Sequence, residues 1–109
     1  MKELRVDELA AHCASSPESV LLDVREPWEV ALASIRLPGV VHRDIPLGSL
    51  AQRLGELDPS TSIVCICHHG VRSRQVVAFL DGQGWPSVYN LRGGVDAWSC
   101  DVDPAVPRY

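Results

Sequence analysis

Ser62-Ile63-Val64-Cys65-Ile66-Cys67-His68-His69-Gly70-Val71-Arg72-Ser73 decides how this chain is read. Its first half is apolar and rich in β-branched residues, which suits a strand buried on both faces. Its second half turns through Gly70 and opens into an amphipathic stretch, predicting a helix over about 73–81 with Val76, Val77 and Leu80 on one side. A buried strand feeding a helix through a short loop is the unit of a parallel α/β sheet.

Working outward, the same alternation recurs. Val20-Leu21-Leu22-Asp23-Val24 and Ser87-Val88-Tyr89-Asn90-Leu91 read as further strands, with Leu4-Arg5-Val6 and Val40-Val41-His42 as short ones. Asp7 is the expected N-cap of a helix over 8–14 that buries Leu9 and Ala10. Pro27 opens a short helix through Ala33. Ser49 is the expected cap of a helix over 50–56, and Gly93-Gly94 leads into another through Trp98. The expected fold class is α/β, three layers (α/β/α) around a five-stranded, mainly parallel sheet. The chain is expected to form a single domain over 1–109, with a core over about 4–99 and residues 100–109 as an extended C-terminal tail.

With 109 residues, 46% hydrophobic and 22% charged, the composition is that of an ordinary globular domain, not a disordered chain. Ten basic against 14 acidic residues give a net charge of −4. The bases are scattered, so nothing points to nucleic acid. No apolar run is long enough for a bilayer span. The start, Met1-Lys2-Glu3-Leu4-Arg5, lacks the apolar core of an export signal. Cys13, Cys65, Cys67 and Cys100 are irregularly spaced. The expectation is therefore reduced thiols and a cytoplasmic location.

In open parallel sheets, ligands bind beyond the carboxyl ends of the strands, and Cys67 stands at such an end. Unpaired N–H groups and the positive end of a helix dipole favour an anion, or a thiolate, at that place. Gly70 allows a turn that a Cβ would obstruct, and Arg72 adds a permanent cation. The plainer reading makes Cys67 a small buried hydrophobe at a strand end. The conjunction of Cys, Gly and Arg at one strand-to-helix turn weighs against it. Cys65 reads as core, and Cys13 and Cys100 as packing residues. Cys65, Cys67, His68 and His69 could suggest a metal. They are too compressed along the chain to wrap one ion tetrahedrally, so no metal is expected.

The chain resembles the single-domain rhodanese family of sulfurtransferases. Three segments carry the resemblance: Leu21-Leu22-Asp23-Val24-Arg25-Glu26-Pro27-Trp28-Glu29, Cys67-His68-His69-Gly70-Val71-Arg72-Ser73, and Asn90-Leu91-Arg92-Gly93-Gly94-Val95-Asp96-Ala97-Trp98. It covers about residues 4–99. The resemblance implies that Cys67 is catalytic. Cys67 would take a sulfane sulfur from a small anionic donor such as thiosulfate and pass it as a persulfide to cyanide, a thiol or a protein acceptor. His68, His69, Gly70, Val71, Arg72 and Ser73 would form the substrate-binding loop. Asp23, Arg25, Gly93 and Gly94 would be structural support. No cofactor, nucleic acid or membrane is implied.

The chain departs from the family in three places, one of them the unusual stretch His42-Arg43-Asp44 before Ile45-Pro46. Ile35-Arg36-Leu37-Pro38-Gly39 stands where many members have Gly-His-Ile-Pro-Gly. His68 and His69, largely neutral at pH 7, follow the cysteine where some thiosulfate-specialised relatives carry cations. Two other readings compete. A cysteine phosphatase or arsenate reductase needs a loop one residue longer than the four residues between Cys67 and Arg72. A non-catalytic binding module of the same family would commonly lack the cysteine.

Overall fold

The computed structural model describes residues 1–109. Five strands, β1 (Lys2–Leu4), β2 (Val20–Asp23), β3 (Val41–Asp44), β4 (Ile63–Ile66) and β5 (Val88–Leu91), form one sheet in the order β1-β5-β4-β2-β3. Every pairing is parallel. The helices are α1 (Leu9–Ser15), α2 (Pro27–Leu32), α3 (Leu50–Arg53), α4 (Val71–Gly82) and α5 (Gly94–Asp101). No helix is long and apolar enough to cross a membrane.

β4 is the middle strand and is buried at every residue. Side chains alternate across a strand, so β4 and its neighbour β2 feed two separate cores. Leu22, Ile63 and Cys65 pack with Leu50 of α3 and with Val76, Val77 and Leu80 of α4. Leu21, Val64 and Ile66 pack on the other face with Leu9 and Cys13 of α1 and with Val95 and Trp98 of α5. These two apolar layers on either side of one sheet make the expected α/β/α arrangement.

The structure differs from the sequence reading at several boundaries. The first strand is Lys2–Leu4, because its register is set by β5: Lys2 lies opposite Tyr89 and Leu4 opposite Leu91. Arg5 then leaves the sheet, and a 3-10 turn over Val6–Glu8 drops Val6 into the core. Asp7 caps nothing. It pairs with the Arg5 side chain at 3.0 Å, while Glu8 accepts the Arg5 N–H at 2.8 Å. Ala10 is exposed; the buried pair in α1 is Leu9 and Cys13, one helical turn apart. The expected helix over 50–56 is one turn of α3 between 3-10 turns, and the Ser49 side chain does not cap it. The third strand runs over 41–44, taking in His42, Arg43 and Asp44. Cys100 is exposed, not a packing residue. Trp28 is 64% exposed. Cys100 and Asp101 close α5, and the segment beyond turns back towards the carboxyl ends of the strands.

Candidate active site

Cys67 follows β4 immediately and is 1% exposed. Its Sγ accepts the Gly70 N–H at 3.0 Å. Gly70 can bring its amide there because it adopts φ +96°, a left-handed conformation that favours glycine. The Ser73 hydroxyl, on the first turn of α4, lies 3.3 Å from the same sulfur and also bonds Asn90 Oδ1. Asn90 is itself fixed, since its Nδ2 donates to Glu3 at 3.0 Å and to the Gly70 carbonyl at 3.3 Å.

The loop is held from behind by α5. The Val95 and Asp96 amides donate to the Cys67 and His68 carbonyls, each at 3.0 Å. A Cβ at Gly94 would overlap both carbonyl oxygens, and Gly94 has φ +59°. Gly94 is thus required for the close approach of α5 to the loop, while a Cβ at Gly93, at φ +79°, would meet Ala97 within α5 itself. With those carbonyls tied down on α5, the Gly70 amide is left to face the sulfur.

Arg72 is not the free cation the sequence suggested. Its two terminal nitrogens grip the Glu29 carboxylate at 2.7 and 2.8 Å, a fork-to-fork geometry. The Arg72 hydrogen bond pulls the Glu29 carboxyl down to about 2, and Glu29 in turn raises the Arg72 guanidinium. The pair is neutral and braces α2 against α4. Asp23 and Arg25 form a second brace. Asp23 accepts the Arg25 backbone N–H at 3.1 Å and the Arg25 side chain at 2.7 and 2.9 Å. The Arg25 guanidinium also donates to the Ala33 carbonyl at 2.7 Å. It is therefore a fully buried but satisfied charge.

Tyr109 is the residue that sequence reasoning missed. Its hydroxyl accepts from Arg25 at 2.7 Å and donates to Glu29 at 2.9 Å, so it joins the two braces. Its ring stacks on His68, and Trp28 meets it edge-on at 6.0 Å. Arg108 anchors this segment on Asp96 at 2.9 Å. His68 also stacks on His69. Burial, then His69, holds the His68 imidazole below its usual value, favouring the neutral form. Val71 is 66% exposed at the loop rim.

His68, His69 and Asp96 offer three ligand atoms within 4.8 Å of one another. The imidazoles are stacked with 28° between their planes, and Asp96 is engaged by Arg108. A cation there would have to unstack the rings and displace Arg108. Among the other cysteines, Cys65 is buried and its thiol is pushed up to about 12 by that burial. Cys13 is likewise raised by burial. The expected grouping of Cys67, His68, His69, Gly70, Val71, Arg72 and Ser73 is one continuous loop and helix start, with Asp23, Arg25, Gly93 and Gly94 around it.

Residues 5–101 match the family model of the Rhodanese-like domain. The chain is 39% identical over 116 residues to the Rhodanese-like/PpiC domain-containing protein 12, chloroplastic, of Arabidopsis thaliana, covering all of this chain but 38% of that protein. It is 35% identical over 94 residues to the thiosulfate sulfurtransferase GlpE of Pseudomonas syringae pv. syringae, covering 86% of this chain and 85% of GlpE. Among solved structures, a rhodanese-like domain protein from Staphylococcus aureus superposes with a TM-score of 0.78 at 30% identity, over 90% of this chain and 91% of that one. With Cys67 at the end of the middle strand, the loop closing on Arg72 and α5 docked behind it, this chain belongs to the rhodanese-like domain family.

Proposed function

We propose that the chain is a sulfurtransferase, acting as one rhodanese-like unit, that carries a sulfane sulfur on Cys67. The observation that carries this reading is the Gly70 N–H donating to the Cys67 Sγ at 3.0 Å, at the foot of a short loop. A backbone donor aimed at sulfur stabilises negative charge there, in the thiolate and in the persulfide alike.

In the first half-reaction the Cys67 thiolate attacks the outer sulfur of thiosulfate or another persulfide donor. The donor S–S bond breaks, and sulfite (or the donor thiolate) leaves with the electron pair. The outer sulfur now occupies the loop between the Gly70 amide and the Ser73 hydroxyl. In the second half-reaction cyanide, a thiol or a protein acceptor attacks that sulfur, and Cys67 leaves as thiolate. Two covalent half-reactions require ping-pong kinetics, and neither calls for a metal or cofactor. His68, His69 and Val71 form the rim an incoming donor meets. Arg72 acts through Glu29 as a brace. Its neutralised charge supports weak binding of thiosulfate, a dianion. Thiol chemistry of this kind suits a reducing compartment such as a cytoplasm.

The test is intact-protein mass after incubation with thiosulfate and then with cyanide. A gain of one sulfur that cyanide removes is expected. No gain with any sulfane donor overturns the reading in favour of a binding module.

A further inference from the structure

Three of the arginines form no ion pair with a carboxylate. Of the nine arginines in the chain, six pair with a carboxylate. Arg43, Arg74 and Arg92 do not. Two of those three, Arg74 on the first turn of α4 and Arg92 just after β5, line the same cavity of about 320 Å³. His69, Gly70 and Val71 of the catalytic loop line it too, and Val71 is its only hydrophobic residue.

The one carboxylate on this cavity, Glu3, is held by Asn90 Nδ2 at 3.0 Å and forms an ion pair with neither arginine. In a chain of net charge −4, two guanidinium groups thus line one cavity without a carboxylate partner. The guanidinium fork matches a carboxylate in shape as well as charge. Gly70, which lines the cavity, also donates its N–H to Cys67 Sγ at 3.0 Å. The cavity and the reacting sulfur are therefore separated by little more than one residue of backbone, a gap that a chain of a few atoms can span.

We propose that this cavity is a subsite for the carboxylate of a thiol acceptor, held by Arg74 and Arg92 while the acceptor's sulfur reaches Cys67. The inference rests on the sulfurtransferase reading and deepens it by naming the acceptor class, a carboxylate-bearing thiol. The acceptor sulfur attacks the outer sulfur of the Cys67 persulfide. A new S–S bond forms to the acceptor and the Cys67–sulfur bond breaks. Cys67 takes the electron pair as thiolate, and the acceptor's proton passes to the transferred sulfur. Neither cyanide nor thiosulfate carries such a distal carboxylate, so neither uses the subsite.

The test loads Cys67 with thiosulfate and measures transfer to mercaptoacetate, 3-mercaptopropionate and 6-mercaptohexanoate, each against the mercapto alcohol of the same length. The three lengths cover the span from sulfur to cavity. Intrinsic thiol reactivity cancels when the acid-to-alcohol ratio of a variant is divided by that of the wild type. For at least one length, Arg74→Ala/Arg92→Ala is expected to lower that ratio roughly 10-fold, the scale of a lost bidentate charge pair. Arg74→Gln/Arg92→Gln, which keeps the bulk, is expected to do the same. Arg43→Ala, unpaired but on the far edge strand, is expected to leave the ratio unchanged. A ratio that stays constant in both double variants at every length overturns the subsite. A wild-type protein that gains no sulfur, or gives it to no acceptor, overturns the underlying sulfurtransferase reading instead.

Discussion

The Tyr109 ring lies flat on the His68 imidazole, 3.8 Å between centroids and 5° between planes. The same residue's hydroxyl bridges Arg25 and Glu29, so one side chain touches the Cys67 loop and both ion-pair braces. Tyr109→Phe keeps the stack and loses the bridge. It should cost about 1–2 kcal/mol, the range for hydrogen bonds to charged groups. Tyr109→Ala loses both and should cost more, while also lowering the rate of sulfur loading. Urea midpoints and single-turnover loading of the variants check this; equal midpoints for Tyr109→Phe and the wild type would show the bridge to be idle.

The cysteines separate cleanly. Cys67→Ser should abolish persulfide formation, because serine offers no thiolate and only Cys67 accepts the Gly70 amide. Cys100→Ser, at an exposed site, should transfer sulfur normally. Cys65→Ser should also transfer, but with a stability loss of about 1–3 kcal/mol for a hydroxyl placed at a fully buried position. Mass spectrometry of each variant after thiosulfate treatment reads the first two outcomes, and thermal melts the third.

Loop length is expected to set selectivity. A phosphoryl group needs donors around three oxygens, whereas the Cys67 Sγ meets one loop amide and one hydroxyl. The Arg72 fork that could hold an oxyanion is already closed on Glu29. Thiosulfate-to-cyanide transfer is expected, with no aryl phosphatase turnover. One residue inserted between Gly70 and Arg72 should displace the amide from the sulfur and cut transfer roughly 100-fold. Faster hydrolysis of an aryl phosphate than transfer of sulfur by the wild type would refute the argument.

Acid should open the site through Glu29. Its carboxyl is pulled from 4.5 to about 2, chiefly by the Arg72 hydrogen bond. A carboxyl with a depressed folded value stabilises the fold fully above its unfolded value, and loses that contribution as pH falls towards the folded one. The stability gap between wild type and Glu29→Gln should therefore be constant above about pH 4.5 and shrink towards pH 2. Denaturant midpoints across that window test it, and a gap independent of pH would remove the pair from the acid response.

Gly94→Ala should be among the most damaging single substitutions. A Cβ there meets the Cys67 and His68 carbonyls, on a residue with φ +59°. Neither backbone can yield without separating α5 from the loop. The expected result is little soluble protein, or a fold whose Cys67 no longer loads; normal expression and loading would refute the close-packing argument.

The β4–α4 junction was legible in the sequence because local signals agree there: an unbroken apolar run, a glycine at the turn, then helical spacing. The positions of Cys67, Gly70 and Ser73 followed from it. The role of Arg72 did not, because its partner Glu29 lies on another element and only the folded chain brings the two together. β1 was misplaced because Lys2-Glu3-Leu4 has no strand pattern of its own; its register comes from β5. Tyr109 carried no motif at all. Its importance arises from the path of the chain after α5, which short-range pattern does not encode.

The pairing of Lys2 with Tyr89 and Leu4 with Leu91 also governs how the protein is made. β1 emerges from the ribosome well before its partner β5, and β4 lacks its β5 neighbour from its own emergence until β5 appears. From the synthesis of Cys67 until that of β5 and α5, Cys67 sits beside an open sheet edge, without α5 behind its loop. Domains complete their folding as their last elements appear. The thiol is therefore seated only once β5 and α5 have been made, and a nascent chain stalled before β5 exposes an unpaired strand edge, the feature that invites aggregation.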